Sequence, residues 1–401
     1  MEYDDNLHQH WNVDVHYALV FSKWWCKSLG IWPWQHNELL SIVQTSSIGL
    51  MVIIGGVLSS TQLLTKGNCG VTTDLLDTLT GIMIFYISFI KIFCLWFHQQ
   101  QLRYIILSII HDWLHIREAQ SRKIMHQYAH WGRLAFILQI TSVSVAVIMA
   151  VWIDPPNVTS GISKSDNSSI RPLILAPSCW IPITMPIHIY LLYYYVNFIA
   201  AICVALVYAG CDALMFSAAL HICGQFEILE ASIEMLSDGD DYLTQKIKIK
   251  SYSKRHNHLI RLGKRMDTLA NMIILSELLT NSVLICTSGI VVLANVRTGN
   301  VNRVMMSWGA RICALYMQFF MYCYVGEKLL SHAEKLRSIV YNCSWYNLSV
   351  NIAKDIEFII MRNNYFCHLT GGKFLIMNYE SFTKITKSLF SFFSILRVTL
   401  E

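Results

Sequence analysis

Long apolar runs separated by short polar segments dominate the pattern along this chain. As an α-helix, a run of about 20 residues crosses about 30 Å of hydrocarbon. Seven such runs fall at residues 39–64, 75–97, 131–153, 187–209, 266–296, 304–325 and 378–397. The pattern therefore predicts an all-α membrane protein with seven transmembrane helices.

Some of these helices continue beyond the thickness of a bilayer. The fourth runs on without a helix breaker to Leu236, where Asp238-Gly239-Asp240-Asp241 ends it. The next helix begins at Tyr242, well before the fifth span. After the sixth span, a further polar stretch reaches about Met361.

The N-terminal arm, residues 1–36, is amphipathic and rich in tryptophan. Its tryptophans are Trp11, Trp24, Trp25, Trp32 and Trp34. Because indole rings favour the membrane–water interface, we expect part of the arm to lie on the membrane. Acidic residues rather than a basic region precede its first apolar run. No cleavable signal peptide is therefore predicted, and the first span is expected to act as the signal anchor.

The segment 154–186 cannot be regular helix, because it holds six of the seven prolines. It also carries N-glycosylation sequons at Asn157 and Asn167, which together indicate the extracellular face. Cys69 and Cys179 fall in loops on the same predicted side, and a disulfide between them is left open. The other cysteines lie mostly within apolar runs, which is typical of buried thiols.

Basic residues orient the predicted bundle. They concentrate between the second and third spans and between the fourth and fifth: Arg103, Arg117, Arg122, Lys123, Lys246, Lys248, Lys250, Lys254, Arg255, Arg261, Lys264 and Arg265. The positive-inside rule places these segments in the cytoplasm, with the N-terminus inside and the C-terminus outside. The sequons at Asn342 and Asn347 then lie inside, and we expect no glycan there.

The last predicted helix carries two parallel stripes. The apolar stripe contains Phe382, Ile385, Leu389, Phe392 and Leu396. The polar stripe contains Ser381, Lys384, Ser388 and Ser391 and continues into Ile395 and Val398. A polar stripe on a spanning helix should face protein or water, as in a pore lined by several copies. The alternative is an ordinary buried helix whose serines bond to their own backbone. Asn378 is the predicted N-cap.

Composition agrees with a membrane protein. Of the 401 residues, 54% are apolar and 14% are charged, against roughly 25% charged residues in soluble domains. The net charge of +5 comes without a basic tract, so no nucleic-acid partner is predicted.

Motifs for catalysis or metal binding are weak. His111 with His115, and His126 with His130, have the i,i+4 spacing of metal ligands but lack the glutamate of a zinc-protease motif. They are interpreted as solvated or interfacial histidines. Without a phosphate loop or a nucleophile elbow, neither an enzyme nor a cofactor is predicted.

Three charged residues lie at the inner ends of predicted spans. Lys91 is expected to extend its ammonium group to the lipid headgroups. Asp212 and Glu327 are expected to pair with basic residues of the cytoplasmic segments.

Three blocks of sequence carry a family resemblance. The most specific runs from Cys323-Tyr-Val-Gly-Glu327-Lys-Leu through Trp345-Tyr346 and Gly372-Lys373-Phe374 to Phe393-Ser-Ile-Leu-Arg397. The second extends from Asp212-Ala-Leu-Met-Phe through His221 to Leu229, and a weaker third from Lys91 through Arg103 to Asp112-Trp113. In this order, on seven spans of this orientation, the blocks resemble the insect odorant receptor family over nearly the whole chain.

The resemblance implies an odorant-gated, non-selective cation channel that forms a heterotetramer with the conserved co-receptor. The plasma membrane of an olfactory neuron dendrite is the implied location, with membrane lipid, cations and a small volatile or hydrophobic odorant as further partners. The last helix would line the pore. Ile395 and Thr399 match two gate positions, although Thr399 departs from the apolar residue that the family keeps there. The chain lacks the long insertion that marks the co-receptor, so it resembles a ligand-tuning subunit.

The resemblance places the ligand site in the outer half of the bundle, between the second, third, fourth and sixth spans. Suitable residues there are Leu79, Ile82, Phe85, Tyr86, Ala146, Met149, Ala150, Tyr190, Tyr194, Asn197, Trp308 and Ile312. Such a pocket is mostly apolar with few polar anchors. For each aromatic residue in the set, plain helix packing is the alternative role.

The predicted organisation is an N-terminal arm (1–36), four spans with the proline-rich loop (37–216), cytoplasmic anchor helices (217–265), two spans (266–327), further anchor helices (328–372) and the pore helix (373–401). A seven-helix G-protein-coupled chemoreceptor and a gustatory-receptor-like channel of the same superfamily are the alternatives. The orientation of the chain distinguishes the G-protein-coupled chemoreceptor from the channels, because the loop between its sixth and seventh helices would be extracellular.

Overall fold

The computed structural model describes residues 11–34, 38–66, 72–153, 185–234, 241–298, 302–362 and 367–400. Its helices are α1 (Val13–Ser28), α2 (Glu38–Lys66), α3 (Thr72–Phe97), α4 (Gln99–His115), α5 (Ala119–Ile153), α6 (Ile187–Glu234), α7 (Tyr242–Thr298), α8 (Asn302–Asn342), α9 (Val350–Arg362) and α10 (Tyr379–Leu400). Two-residue strands, β1 (Thr370–Gly371) and β2 (Leu375–Ile376), form an antiparallel hairpin before α10. The predicted all-α class is confirmed.

Within the described residues, five helices contain segments long and apolar enough to cross a membrane: Leu39–Lys66, Thr78–Phe97, Ala119–Met149, Ile187–Ile233 and Tyr242–Val292. They overlap the first five predicted spans. The other two predicted spans are more polar, since α8 carries Arg311 and Gln318 and α10 carries Lys384 and Lys387. Their crossing of the membrane stays a prediction, as does the orientation of the chain.

The long helix α6 forms the centre of the bundle, where it packs against α5, α7 and α8. Apolar residues occur all round it, so it can be enclosed on every side. We call the half of the bundle that contains α4 and α9 the inner half, after the predicted orientation, and the opposite half the outer half. One large apolar cluster fills the inner half, with fully buried side chains such as Ala219, Leu259 and Leu329.

The N-terminal arm is part of this core. Helix α1 packs against α5 and α6, and Trp25 and Trp32 are buried. The indole nitrogen of Trp25 donates a hydrogen bond of 2.9 Å to the carbonyl oxygen of Leu206. The expectation of a membrane-surface position is therefore wrong for these two tryptophans, because protein surface covers them; Trp24 remains exposed.

The start of α10 is closely tied to α8. Asn378 accepts a hydrogen bond of 2.8 Å from the backbone nitrogen of Ser381, which confirms the predicted N-cap. Glu327 on α8 accepts one of 3.1 Å from the backbone nitrogen of Tyr379. This carboxylate therefore meets the positive end of the α10 dipole, where we had expected a basic partner from the anchor segments.

Several predicted features lie outside the described residues: Asn157, Asn167, Cys69 and Cys179. Asn342 and Asn347 are described, and both are exposed.

Candidate ligand cavity and pore helix

A cavity of about 140 Å³ lies in the outer half of the bundle. Its wall comprises Thr80, Ile84, Val143, Ala146, Val147, Ala201, Val204, Ala205, Tyr208, Leu284, Ser288, Trp308, Arg311, Ala314 and Leu315, from α3, α5, α6, α7 and α8. A dry cavity of roughly 150 Å³ binds benzene in an engineered protein. This cavity is therefore of the size of a small organic molecule, and its wall is mainly apolar.

Two of the predicted ligand residues, Ala146 and Trp308, line the cavity. Phe85 is buried in an apolar cluster with Val52 and Val204 on the α2 side of the bundle. Tyr190 and Tyr194 pack on each other, with ring centroids 6.2 Å apart, in a separate cluster. The amide of Asn197 donates to the carbonyl oxygen of Tyr193. Also away from the cavity wall are Leu79, Ile82, Tyr86, Met149 and Ile312. The side chain of Ala150 is outside the described part.

Sequence reasoning missed the contribution of α7 and several polar members of the wall, among them Ser288, Tyr208 and Arg311. Leu284 and Ser288 belong to the fifth predicted span, while Tyr208 and Arg311 belong to the fourth and sixth. Arg311 is the only charged residue between positions 304 and 325 of the sequence. A charged residue within a span faces protein or water rather than lipid. A single arginine in an otherwise uncharged span therefore indicated that Arg311 faces the interior of the bundle.

A groove of about 830 Å³ between α5 and α6 adjoins the cavity. Val143, Val147 and Ala205 line both spaces. The groove and the cavity therefore meet along these three side chains.

Beneath the cavity, a group that we call the buried ion cluster joins four helices. The ammonium nitrogen of Lys91 lies 2.9 Å from Asp212 and 2.7 Å from Glu277, and all three side chains are fully or almost fully buried. The hydroxyl of Tyr322 donates to Asp212 at 2.6 Å, and the Gln318 amide donates to both carboxylates. The expectation that Lys91 reaches the headgroups is wrong, because two carboxylates hold it inside. Asp212 does pair with a base, but on α3 rather than on the anchor segments.

Tyr208 connects the cavity to the buried ion cluster. Its side chain lines the cavity, and its carbonyl oxygen accepts a hydrogen bond of 3.2 Å from Lys91. The ammonium nitrogen of Lys91 lies 3.7 Å from the centroid of the Tyr208 ring, and the phenol donates to Asn281 at 3.0 Å. A movement of the Tyr208 ring would therefore change contacts in both the cavity and the buried ion cluster.

The polar stripe of α10 faces away from the rest of the chain. Lys384, Ser388, Ser391 and Ile395 are exposed, and Ser381 is half-buried. The hydroxyl of Ser388 donates to the carbonyl oxygen of Lys384, as the alternative of backbone-bonded serines requires. The side chains of Val398 and Thr399 lie outside the described part.

The opposite face of α10 packs against α7 and α8. Phe382 contacts Phe319, with ring centroids 5.1 Å apart. Leu389 lies in one apolar cluster with Leu284 and Leu315, which also line the cavity. The cavity wall and α10 therefore share a packed boundary.

A second polar cluster lies in the inner half. Asp112 on α4 is 2.8 Å from Arg255 and 3.1 Å from His221. Burial alone would raise the pKa of Asp112, but the charge of Arg255 and hydrogen bonds from His111, His221 and Arg255 hold that pKa well below its usual range.

The histidines that had metal-ligand spacing have other contacts. The rings of His111 and His115 stack with centroids 4.0 Å apart, and His126 lies 3.1 Å from Asp14. Among the described residues, no group of three or more histidine, cysteine, aspartate or glutamate side chains has the arrangement of a metal site.

The fold and the cavity together define a multi-pass helical membrane protein with a cavity of the size of a small organic molecule between its helices. The family model of the 7tm Odorant receptor matches residues 72–390. The chain therefore belongs to the 7tm Odorant receptor family, as its sequence blocks predicted, and it is an odorant receptor.

Relatives agree with this assignment, and solved structures share the fold. Odorant receptor 13a of Drosophila melanogaster is 23% identical over 413 residues, which cover 93% of each chain. The odorant receptor coreceptor of Harpegnathos saltator is 21% identical over 148 residues, 37% of this chain and 30% of the coreceptor. The olfactory receptor OR5 of Machilis hrabei has a TM-score of 0.73 at 13% identity and covers 95% of this chain. Its complex with eugenol has a TM-score of 0.74 at 14% identity and covers 96% of this chain.

Proposed function

We propose that this receptor is the ligand-tuning subunit of an odorant-gated, non-selective cation channel, which forms a heterotetramer with the conserved co-receptor in the plasma membrane. The tuning role is supported by similarity over 93% of Odorant receptor 13a but only 30% of the Harpegnathos coreceptor. A small organic ligand is supported by the size of the cavity and by the OR5 complex with eugenol.

The observation that carries the channel proposal is the exposed polar stripe of α10. Lys384, Ser388 and Ser391 are exposed while Leu389 on the other side is buried. A bilayer disfavours an ammonium and hydroxyls on its lipid-facing surface, so this face is expected to be covered by neighbouring subunits or by water. Four copies of α10 around one axis satisfy that requirement, with Ile395 and Thr399 as the proposed gate.

Ligand binding would act on the pore through the shared apolar boundary. Leu284 and Leu315 touch the cavity, and Leu389 of α10 packs in the same cluster. A ligand changes the open population only if it binds the open and closed arrangements with different affinity. We propose that the positions of these leucines differ between the two arrangements.

Thiol accessibility tests the pore. Ser388→Cys and Ser391→Cys are made in this subunit and expressed with the co-receptor, and current is recorded before and after a charged, membrane-impermeant thiol reagent. Leu389→Cys, on the buried face of the same helix, is the matched control. We expect odorant-evoked current to be modified in both serine variants but not in the control. Odorant responses without any modification at the serine positions would contradict a pore along this face.

Glycan mapping tests the orientation and the G-protein-coupled alternative. We expect glycan on Asn157 or Asn167 and none on Asn342 or Asn347, although the latter two are exposed. Glycan on Asn342 or Asn347 would place that segment outside the cell. The inverted topology, and the channel proposal with it, would then be wrong.

A further inference from the structure

We infer that the cavity selects a small neutral ligand that carries a carbonyl-type hydrogen-bond acceptor, and that Arg311 is the residue that recognises this acceptor. The inference rests on the proposed function, because it names the ligand class of the same site. It starts from the one charged side chain on the cavity wall.

Arg311 lies well inside a predicted span. It is nine residues from the start of α8 at Asn302, about 13 Å along the helix axis. Its guanidinium carbon is 4.5 Å from the centroid of the Trp308 ring, and both residues line the cavity. A charge at such a depth is costly and is usually functional. The contact with Trp308 is a favourable cation–π interaction at the cavity wall.

A guanidinium offers five N–H donors in a fixed planar fork. Arg311 can therefore donate to a ligand and to other partners at the same time. The other donors among the side chains of the wall are the hydroxyls of Thr80, Ser288 and Tyr208 and the indole N–H of Trp308, which are weaker donors because they are neutral. The strongest hydrogen bond available in this cavity is consequently one from Arg311 to an acceptor on the ligand.

The surrounding charges favour a neutral acceptor over an ion. A cationic ligand would be repelled by Arg311. An anionic ligand would lie above the buried ion cluster, where two carboxylates, Asp212 and Glu277, face one ammonium group, that of Lys91. It would also lose its hydration in a mostly apolar space, which is far more costly for an ion than for a carbonyl group. A ketone, aldehyde or ester keeps the acceptor without this cost.

The volume sets the size of the ligand. About 140 Å³ matches a single six-membered ring with a short substituent. Cyclohexanone and benzaldehyde have this size and carry one carbonyl oxygen. Methylenecyclohexane and styrene have nearly the same shape, with a CH₂ group in place of that oxygen. The two pairs therefore isolate the acceptor from the size and the apolar surface.

The first measurement is binding, which does not depend on gating. The purified full-length chain in lipid nanodiscs is heated with each ligand, and the ligand-dependent rise in melting temperature gives the affinity. We expect each carbonyl compound to bind roughly ten- to a hundredfold more tightly than its CH₂ analogue, as one hydrogen bond from a charged donor predicts. Equal affinity within both pairs, or no binding by either carbonyl compound, would overturn the inference.

Arg311→Met then tests the residue, because methionine keeps the unbranched stem of the side chain but removes the guanidinium and its donors. The matched control is Arg337→Met, an exposed arginine further along the same helix. We expect Arg311→Met to reduce the carbonyl preference to less than about threefold, and Arg337→Met to leave it unchanged. A purely structural role for Arg311 would weaken both members of a pair equally. An unchanged preference in Arg311→Met would therefore refute its assignment. Should that variant fail to fold, Arg311→Lys keeps the charge without the planar fork and should lower the preference in part.

Currents separate this inference from the proposed function. The same ligand pairs are applied to cells that express the chain with the co-receptor. Carbonyl-selective binding without any evoked current would contradict the channel proposal and leave the ligand class standing. Evoked currents of equal potency within each pair would contradict the ligand class and leave the channel standing.

Discussion

Polar side chains are arranged differently in the two halves of the bundle. Beneath the cavity, Lys91 lies within 3 Å of both Asp212 and Glu277, and all three side chains are buried. In the outer half, Arg311 borders a cavity of about 140 Å³. The same helices α3, α6, α7 and α8 contribute to both regions.

The difference indicates how a helical bundle combines rigidity with a binding site. Paired charges in a low-dielectric interior have strict geometric requirements, so they fix the positions of the four helices relative to one another. A mostly apolar cavity has no such requirement and can accept a ligand. We therefore expect substitutions in the inner half to change stability and substitutions around the cavity to change the ligand response.

Lys91→Met should give the largest effect on stability. It leaves two buried carboxylates, Asp212 and Glu277, without a counter-charge, and breaking a buried ion pair costs about 3–5 kcal/mol. We expect a large loss of folded receptor, measured as the yield and melting temperature of the purified chain. Lys354→Met, at an exposed position of α9, is the matched control and should change little.

A compensated variant distinguishes lost charge balance from lost packing. Lys91→Met combined with Asp212→Asn and Glu277→Gln removes all three charges. We expect it to recover much of the stability, because unpaired buried charges cost more than neutral groups. If the triple variant were as unstable as Lys91→Met, the buried ion cluster would not owe its role to charge pairing.

Asp112→Asn should have the next largest effect on stability, and the size of that effect should depend on pH. The carboxylate accepts charge-assisted hydrogen bonds whose loss costs about 2–3 kcal/mol. The pKa of Asp112 is lower in the folded chain than in the unfolded chain. Its stabilising contribution is therefore complete above the unfolded pKa, about 4, and is lost as the pH falls through the folded value.

Melting temperatures from neutral pH down to about pH 3 check this sign. The destabilisation by Asp112→Asn should be full at neutral pH and should shrink below about pH 4, because the carboxylate is then protonated in the unfolded chain while the folded chain still holds it in the charged form. Asp355→Asn, at an exposed position, is the control. A difference between wild type and Asp112→Asn that grows on acidification would show that the carboxylate is not held in its charged form.

Alanine substitutions at two glycines on α8 test the difference in packing between the two halves. A Cβ atom at Gly326 would lie 2.1 Å from the backbone carbonyl oxygen of Met377, which cannot move aside easily, whereas one at Gly309 would meet nothing within 4 Å. We expect Gly326→Ala to destabilise by about 1–3 kcal/mol. Gly309→Ala should stabilise by up to about 1 kcal/mol, since alanine favours helix. Equal effects at the two positions, measured by thermal unfolding, would contradict the contrast in packing.

The sequence predicted the helices well because their length and apolar character are local properties. The capping role of Asn378 was equally local, and the structure confirms it. The sequence could not show which residues meet across helices. Lys91 was assigned to the headgroups because its partners are more than a hundred residues away along the chain.

The ligand residues were also harder to predict, because the sequence does not show which side chains meet across helices. Apolar residues surround α6 on every side, so its pattern does not give the rotation of the helix. Tyr190 and Tyr194 consequently pack on each other, while Tyr208 borders the cavity. Arg311 was not among the predicted ligand residues, because a mostly apolar pocket with few polar anchors was expected, although an isolated charge within a span is itself a signal.

Ala314→Leu should have the smallest effect on stability and a clear effect on ligand response. Ala314 lines the cavity, so the larger side chain extends into existing space and should change the free energy of unfolding by less than about 1 kcal/mol. The same substitution at Ala219, which is fully buried in the inner half, should cost about 1–3 kcal/mol through overpacking. In cells that also express the co-receptor, we expect Ala314→Leu to raise the half-maximal odorant concentration at least about tenfold, because the ligand loses part of its volume. Unchanged potency in a folded Ala314→Leu receptor would mean that the odorant binds elsewhere, and the outer half would then differ from the inner half in packing alone.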